Sequence, residues 1–502
     1  MPTTDSINLH PKTHLPASLK SHTYDVISIG SGWAGRIIAA RCVAAGLTAI
    51  VVERELIGGE CPFWACVPSK ALLRPAEALD GARAVGGAKE RLVSENVGVD
   101  VEAVFGRRDE FAVGWDDAVH LVPMVENSGT VLVRGVGKIV GEKKIVVENG
   151  EERVELQANH AVAICTGSEP IIPEIPGLAD ARPWGPREAT SSSIVPEHLI
   201  IMGGGVVGCE MATAYSSYGA QVTVVHKSKE ILNRLDPEVG KLVRESLASR
   251  GVTFLLSTSI NSVQRQIPGG PVNVQLSSGE SLTGSEILVA TGRRAITRGL
   301  GLENLGLQSL VEKGLSLSVD ESLCLAGVSG NWLYAAGDVN GRALLTHTSK
   351  YHGRIAANAI IARAKGVFPL HPIKFDSFSA TADRVAVPQV VFTNPAVASV
   401  GLTRVAAQRE GRAVREITVP AATLGARLHA DGYADGWAQW IVDANTGVLL
   451  GATIVGQDGA ELLHASTVAI VGEMKLQQLV HAIPAFPTMS EVYLSLIDAA
   501  GL

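Results

Sequence analysis

Two cysteines five residues apart, Cys61 and Cys66, stand in the segment Gly58-Gly59-Glu60-Cys61-Pro62-Phe63-Trp64-Ala65-Cys66-Val67-Pro68-Ser69-Lys70. Thiolates are nucleophiles and electron carriers, and the N-terminus of a helix stabilises them. Pro62 suits a first helical turn, which puts Cys61 near the N-cap and predicts a lowered thiol pKa there. Cysteines at this spacing in a regular helix are too far apart to bridge. A disulfide therefore requires Cys61 to sit in an irregular first turn. Two other readings stay open: a pair of buried, unpaired cysteines, or a metal site. The second is disfavoured because no further Cys or His cluster lies nearby, so no metal is expected. Spacing alone does not choose among them. The position of the pair, soon after a nucleotide-binding pattern, favours redox chemistry.

That pattern starts with residues 24–29, YDVISI, which read as a buried strand running into Gly30-Ser-Gly32-Trp-Ala-Gly35. A helical stretch over 36–46 and a strand, LTAIVVE, ending at Glu53 complete a βαβ unit. The glycines let backbone N–H groups at a helix N-terminus approach a pyrophosphate, and Glu53 is placed to bind ribose hydroxyls. A second copy has its strand at 199–202, glycines Gly203, Gly205 and Gly208, and a strand ending near His226. Two copies predict two dinucleotides, one held and one exchanging. Residues 130–165 and 272–294 read as short strands with turns, and WLYAAGDVNG as a strand closing on Gly337-Asp338. An amphipathic helix is expected over 344–364. From 388 onward the pattern becomes antiparallel strands, followed by helices at 459–471, 475–481 and 489–498.

A chain of 502 residues exceeds one ordinary core and predicts about three domains of roughly 100–200 residues each. Net charge is −7 without long basic or acidic runs, so neither nucleic acid nor a membrane surface is an expected partner. The apolar runs are strand-sized or broken by glycine, so no membrane span is expected. The first 22 residues lack the apolar core of a signal peptide and read as a flexible arm. Six cysteines do not make a secreted disulfide scaffold, which points to a reducing, cytoplasmic setting. Cys42, Cys165, Cys209 and Cys324 are scattered in apolar contexts and read as structural.

The chain resembles the flavoprotein pyridine nucleotide–disulfide oxidoreductases, which include dihydrolipoamide dehydrogenase, glutathione reductase and mercuric reductase. The resemblance runs from about residue 24 to 495 through GSGWAG, GGECPFWACVPSK, ICTGSEP, GGGVVGCE, ATGRR, LYAAGDV, VVFTNPAVASVGLT and PTMSE, all in family order. It implies an α/β fold with two Rossmann-like three-layer nucleotide-binding domains and a C-terminal α+β dimerisation domain. Residues 23–168 and 292–375 would bind FAD, 169–291 NAD(P)H, and 376–502 would form a homodimer interface after the arm at 1–22. Cys66 would be the thiol beside the flavin and Cys61 the thiol that exchanges with substrate. Lys70, paired with Glu210, would stand near flavin N5, where a buried pair could stabilise developing charge. Glu53 would bind the adenosine ribose and Asp338 the ribityl chain, with the helix beginning near Leu344 pointed at the flavin. The cofactor-binding set so implied is Gly30, Gly32, Gly35, Glu53, Gly59, Lys70, Gly137, Thr166, Gly167, Asp338, Leu345, His347, Gly203, Gly205, Val207, Gly208, His226, Lys227, Gly292 and Arg293.

Departures from the family pattern bear most on function. Disulfide reductases of this type carry a general acid–base histidine immediately before Pro-Thr-x-Ser-Glu, with the Glu orienting it. Here that position is Phe486, while the Glu remains as Glu491 and enters the catalytic set with Cys61, Cys66, Lys70 and Glu210. His481 lies five residues earlier, out of register, and reads as a surface residue. Mercuric reductases also lack the histidine but end in a vicinal cysteine pair, which the ending SLIDAAGL does not supply. Trp33 and Trp64 are unusual choices within their motifs. In the second nucleotide unit, His226, Lys227 and Lys229 replace the acid expected for NADH, which favours NADPH over NADH. The leading expectation is electron transfer from NAD(P)H through FAD to Cys61–Cys66 and on to a small disulfide or thiol-bound acceptor. Quinone or metal-ion reduction at the flavin is the alternative. An E3-like subunit of a lipoyl complex is disfavoured by Phe486, and a non-catalytic flavin scaffold by the intact Cys61, Cys66, Lys70 and Glu210.

Overall fold

A computed structural model describes residues 7–93, 98–370, 372–434 and 436–502. The alternation of strand, glycine turn and helix read from the sequence builds its first sheet. β1 (Thr23–Ile29) leads through Gly30 into α1 (Trp33–Ala44), which begins three residues before the expected 36–46 stretch, and then β2 (Ala49–Glu53). A single turn, α2 (Glu60–Phe63), precedes the long α3 (Cys66–Arg83). Then come β3 (Val131–Arg134), β4 (Val136–Gly141), β5 (Lys144–Asn149) and β6 (Glu152–Ile164). The hydrogen-bonded order is β3-β2-β1-β6-β5-β4. Strands β1, β2, β3 and β6 pair in parallel, and the β4–β5–β6 meander is antiparallel. Ile27, Ile50, Val51 and Val162 are fully buried. Burying such a side chain contributes about 1.5–3 kcal/mol each, which is what fixes strand order and register.

The chain leaves this sheet through Ser168–Pro170 and returns through Arg293–Ala295, two short strands paired antiparallel. Between them lie α4 (Pro186–Ser191) and a second parallel sheet. That sheet contains β7 (His198–Met202), β8 (Gln221–Val225), β9 (Thr253–Leu255) and β10 (Glu286–Val289), in the order β9-β8-β7-β10. Its helix α5 (Val206–Ser217) follows the second glycine turn. Strand β11 (Leu333–Ala335) then joins the first sheet beside β6, and α6 (Thr346–Ala364) packs on α1. The last part is a five-stranded antiparallel sheet made of β12 (Pro388–Val391), β13 (Val397–Gly401), β14 (Val414–Pro420), β15 (Trp437–Asp443) and β16 (Leu449–Val455). Two helices, α7 (Gly459–Val471) and α8 (Glu491–Ala499), cover it. The expected helix over 475–481 contracts to Leu476–Leu479. Among the described residues no helix is long and apolar enough to cross a membrane.

The arm expected to be flexible is corrected over residues 7–22, while residues 1–6 lie outside the described residues. Ile7 and Leu9 pack against the first core. The carbonyls of His14 and His22 accept from the N–H groups of Arg134 and Gln157, and Ala17 N–H donates to Glu152. Backbone bonds to the edges of two strands and two apolar anchors hold the segment down.

Candidate functional site

A cavity of about 1000 Å³ runs between the two parallel sheets and the last domain. One end is the first glycine turn. A Cβ on Gly30 would sit 2.3 Å from the Cys165 carbonyl oxygen, and one on Gly35 2.1 Å from the Gly30 carbonyl oxygen. Only glycine permits the strand, turn and helix to close this tightly. A Cβ on Gly32 would meet nothing within 4 Å, so the open side of the turn faces the cavity. Glu53, at the end of β2, accepts from Ser31 N–H at 2.9 Å, Ser31 Oγ at 2.7 Å, and the N–H groups of Arg54 and Glu55. Gly137, Thr166, Gly167 and Asp338 line the same space. Asp338 accepts from Ser168 Oγ at 2.6 Å, and burial raises its pKa. These residues fit an adenine dinucleotide: bare backbone for the phosphates, and carboxylates at the places where ribose and polyol hydroxyls would bind.

The cysteines lie in the middle of the cavity. Cys61 sits in a short first turn capped by Gly59, separate from the long helix. Its turn, α2, ends at Trp64, and the backbone breaks at Ala65 with φ −128° and ψ −103°. Cys66 is the residue that opens α3. Trp64 sets the break, because it is buried against Trp115 with ring centroids 6.0 Å apart and its carbonyl accepts from Thr190 Oγ1. The break brings the two sulfurs near each other, and Cys66 Sγ lies 3.1 Å from Thr346 Oγ1 on α6. The pair gives up one proton readily and the other with difficulty. The hydrogen bond from Cys66, helped by Thr346, Trp33 and Lys350 against the opposing effect of burial, brings Cys61 down to about 6. The same hydrogen bond, burial and the charge on Cys61 push Cys66 up. Burial alone is the chief cause at the other cysteines: Cys42 and Cys165 rise to about 12, Cys324 to about 11, and Cys209 rises as well. All four are buried, and burial favours the neutral thiol.

Lys70, one turn along α3, donates to both oxygens of Glu210 at 3.0 and 2.8 Å. Glu210 comes from α5, is 4% exposed, and also accepts from Phe392 N–H at 3.1 Å. The Lys70 ammonium stands 4.5 Å from the centroid of the Phe392 ring. Leu345 is the N-cap residue of α6, and His347 donates from Nε2 to the Pro388 carbonyl at 2.7 Å. Arg293 donates to Ser168 Oγ and to the Ser168 carbonyl, and lies 3.6 Å from Glu60. Gly59 is the N-cap of α2 and approaches Gly32.

The second glycine turn repeats the cradle. A Cβ on Gly208 would fall 2.0 Å from the Gly203 carbonyl oxygen, and one on Gly203 2.4 Å from that of Ala290. Gly205 caps α5 with open space around it, Val207 lines the cavity of the cysteines, and the Gly292 carbonyl accepts from Ile171 N–H. His226 does not stand out as a cation. Its Nδ1 accepts from Gly204 N–H at 3.1 Å, and burial, with Lys227 nearby, lowers its pKa. The positive charge at this turn is therefore left to Lys227 and Lys229, both exposed.

Several cavity residues carried no sequence signal. Arg187, on α4, donates to Glu55 and Glu60 and stacks over Trp64 at 5.3 Å. Thr346, Ser168, Phe392 and Lys350 also line or touch the site. Only the charge of Glu60 inside the cysteine motif hints at a partner such as Arg187. Phe486, His481 and Glu491 are absent from the lining of this cavity. Phe486 is 70% exposed, His481 is exposed, and Glu491 accepts from Gly425 N–H at 2.8 Å.

Residues 24–357 match the family described as pyridine nucleotide-disulphide oxidoreductase, and 387–496 match its dimerisation domain. The chain is 32% identical to a dihydrolipoyl dehydrogenase of Rhizobium etli, covering 96% of this chain and 99% of the relative. It is equally 32% identical to a mercuric reductase of Streptomyces lividans, over 94% of this chain and 95% of the relative. Among solved structures, the fold is shared with a copper(II) complex of the HOCl-induced flavoprotein disulfide reductase RclA of Escherichia coli. That likeness has a TM-score of 0.80 at 24% identity and covers 95% and 99% of the two chains. Two glycine turns and a cysteine pair, the first turn and the pair in one cavity, agree with these matches in kind and in order. The chain belongs to the pyridine nucleotide-disulphide oxidoreductases and is an FAD-dependent NAD(P)H oxidoreductase.

Proposed function

We propose that the chain passes electrons from NADPH to the Cys61–Cys66 pair and on to a small disulfide or a thiol-bound acceptor. One observation supports this reading above the others: Cys61 and Cys66 share a cavity with the Lys70–Glu210 pair, the first glycine turn and the start of the helix after the second. FAD, when bound, supplies the two-electron link between nicotinamide and disulfide. Glu53, Gly30, Gly35 and Asp338 would hold it, and Lys70 with Glu210 would favour negative charge near it. The chain's own step is thiol–disulfide exchange. The Cys61 thiolate attacks one acceptor sulfur, forms a mixed disulfide and expels the other sulfur as a thiolate. Cys66 then attacks the Cys61 sulfur, closes the Cys61–Cys66 disulfide and expels the second thiolate. Two electrons leave the cysteines, the acceptor takes both, and the expelled thiolates take protons from water.

The homodimer fits the matched dimerisation domain and the exposed apolar Val468, Ile483 and Phe486. NADPH is favoured over NADH by exposed Lys227 and Lys229 at the end of β8, where an acid would repel a 2′-phosphate. The absence of a membrane-crossing helix among the described residues accords with a cytoplasmic enzyme. The second reading, reduction of quinones or metal ions at the flavin, is favoured by Phe486, which can neither give nor take the proton that disulfide exchange requires. Anaerobic titration with NADPH separates the two. Uptake of about four electrons per subunit supports a working disulfide beside the flavin, and uptake of two supports flavin-only chemistry.

A further inference from the structure

We propose that Lys350 and Trp33 hold Cys61 as a thiolate during exchange, taking over electrostatically what an acid–base histidine at position 486 would do. This rests on the disulfide-reductase reading above. Lys350 lies one turn beyond Thr346 on α6, so the two share a face of the helix. Thr346 touches Cys66, and the Lys350 ammonium stands 3.8 Å from the centroid of the Trp33 indole. Trp33 opens α1, directly after the first glycine turn. Its Nε1–H is buried without an aligned acceptor, and the neighbouring Cys61 sulfur lies within its influence. A buried donor without a partner costs roughly 1–3 kcal/mol, and a thiolate at Cys61 would satisfy it where a neutral thiol does so poorly.

A second cation reinforces the first. The Arg36 guanidinium lies 4.5 Å from the centroid of the same indole ring. Arg36 is 6% exposed, donates from Nη1 to Met124 Sδ at 3.5 Å, and leaves Nε and Nη2 buried without partners. The charged groups around Cys61 are Lys350 from α6, Arg36 from α1, Cys66 from α3 and Glu60 of its own turn, which Arg187 already neutralises, with His464 of α7 lining the same cavity, Lys70 acting on Cys66 and Glu53 acting on Arg36. Positive charge predominates. Lys350, Trp33 and Cys61 line one cavity. A fixed cation delivers no proton, but it stabilises a thiolate both when it attacks and when it departs. Trp33 thus brings an unpartnered N–H to the cavity that holds Cys61, and Lys350 is a positioning residue that acts through the indole and through its field.

The test is the pH profile of iodoacetamide alkylation at Cys61 in the FAD-loaded Cys66→Ser protein. Removing a nearby cation disfavours the thiolate, so the midpoint must rise. Lys350→Met should raise it by about one pKa unit and slow alkylation about tenfold below the midpoint, with no change at high pH. Lys350→Arg should restore the profile. Trp33→Phe should raise the midpoint on its own, which keeps the test decisive if Lys350→Met fails to load flavin. An unmoved midpoint in Lys350→Met or in Trp33→Phe overturns the assignment of that residue, as does a change confined to the high-pH plateau. Four-electron NADPH uptake with an unmoved midpoint would remove this inference and leave the disulfide reading. Two-electron uptake with a raised midpoint would remove the disulfide reading and leave the thiolate assignment.

Discussion

Removing the Glu210 carboxylate should cost stability in a way that depends on Lys70. Glu210 accepts three hydrogen bonds, two from Lys70 Nζ and one from Phe392 N–H, and its side chain is 5% exposed. It joins α3, α5 and the segment after β12, which belong to three different sheets' surroundings. Breaking a buried ion pair by deleting one partner costs about 3–5 kcal/mol. The Lys70 side chain is 35% exposed, so water recovers part of that charge. A loss of roughly 2–3 kcal/mol is expected for Glu210→Ala once this screening is allowed for. Glu210→Gln keeps an acceptor for Phe392 N–H and should lose about 1 kcal/mol. The measurement is a double-mutant cycle over Lys70→Met and Glu210→Ala, read by urea unfolding with both flavin and tryptophan signals, since so large a chain need not unfold in two states. A coupling energy of about 1.5–2 kcal/mol is expected from two charge-assisted bonds. A coupling below about 0.3 kcal/mol would refute the argument, because distant, independent sites already add to within that margin. Rapid-mixing measurements on the same proteins should show slower flavin reduction by NADPH in Glu210→Ala than in Glu210→Gln.

Lys227→Glu should lower kcat/KM for NADPH while sparing NADH, since it puts a carboxylate where a 2′-phosphate would bind; a clear NADH preference in the unaltered enzyme would sink that reading. Gly208→Ala should destabilise the second nucleotide domain by about 1–3 kcal/mol, because its Cβ would meet a carbonyl oxygen at 2.0 Å. Gly205→Ala, with nothing within 4 Å, should leave stability intact and weaken NADPH binding, and equal stability losses in the two variants would contradict the cradle argument. Lipoamide and glutathione disulfide should be poor substrates, and Phe486→His should accelerate their reduction, general acid–base help being worth roughly 100- to 10,000-fold. Fast reduction by the unaltered enzyme that disappears in His481→Ala would show that the acid–base group had been assigned to the wrong residue.

Local patterns carried most of the fold. Strand, glycine turn and helix recur at 24–53 and 199–226, and each element is made by residues adjacent in sequence, so periodicity and turn chemistry suffice to place them. What the sequence hid depends on contacts between distant segments. Pro62 does stand in a helical turn, but the turn stops at Trp64, and the cause is Trp115 and Thr190, 51 and 126 residues further on. The entry turn that holds Cys61 is therefore cut off from the long helix, which starts at Cys66. His226 has the composition of a phosphate ligand, yet its ring turns under the glycine loop to accept from Gly204 N–H. The arm has too few apolar residues to announce a docking site, and Ile7 and Leu9 gain theirs only from a completed core. Lys350 and Trp33 are far apart in the chain and meet because α6 packs along α1.

The persistence of Glu491 beside a missing histidine has a physical reason. A carboxylate whose sole task was to orient an imidazole would have none left once Phe486 took its place. Glu491 instead accepts from the N–H of Gly425, at 2.8 Å, within the helix Leu424–His429. Gly425 itself is pressed so closely on the Pro-Thr-x-Ser-Glu segment that a Cβ would stand 2.1 Å from the Thr488 carbonyl oxygen. One bond thus fastens the first turn of a short helix to the start of α8, and it needs a carboxylate or amide oxygen whatever residue stands at 486. The surviving Glu is therefore no sign of a surviving base. The groups proposed to hold the Cys61 thiolate are cations and an indole N–H carried by α1 and α6. On the proposed reading, exchange depends on keeping a thiolate stable more than on moving a proton, and that dependence favours acceptors whose own thiols are acidic enough to leave unprotonated.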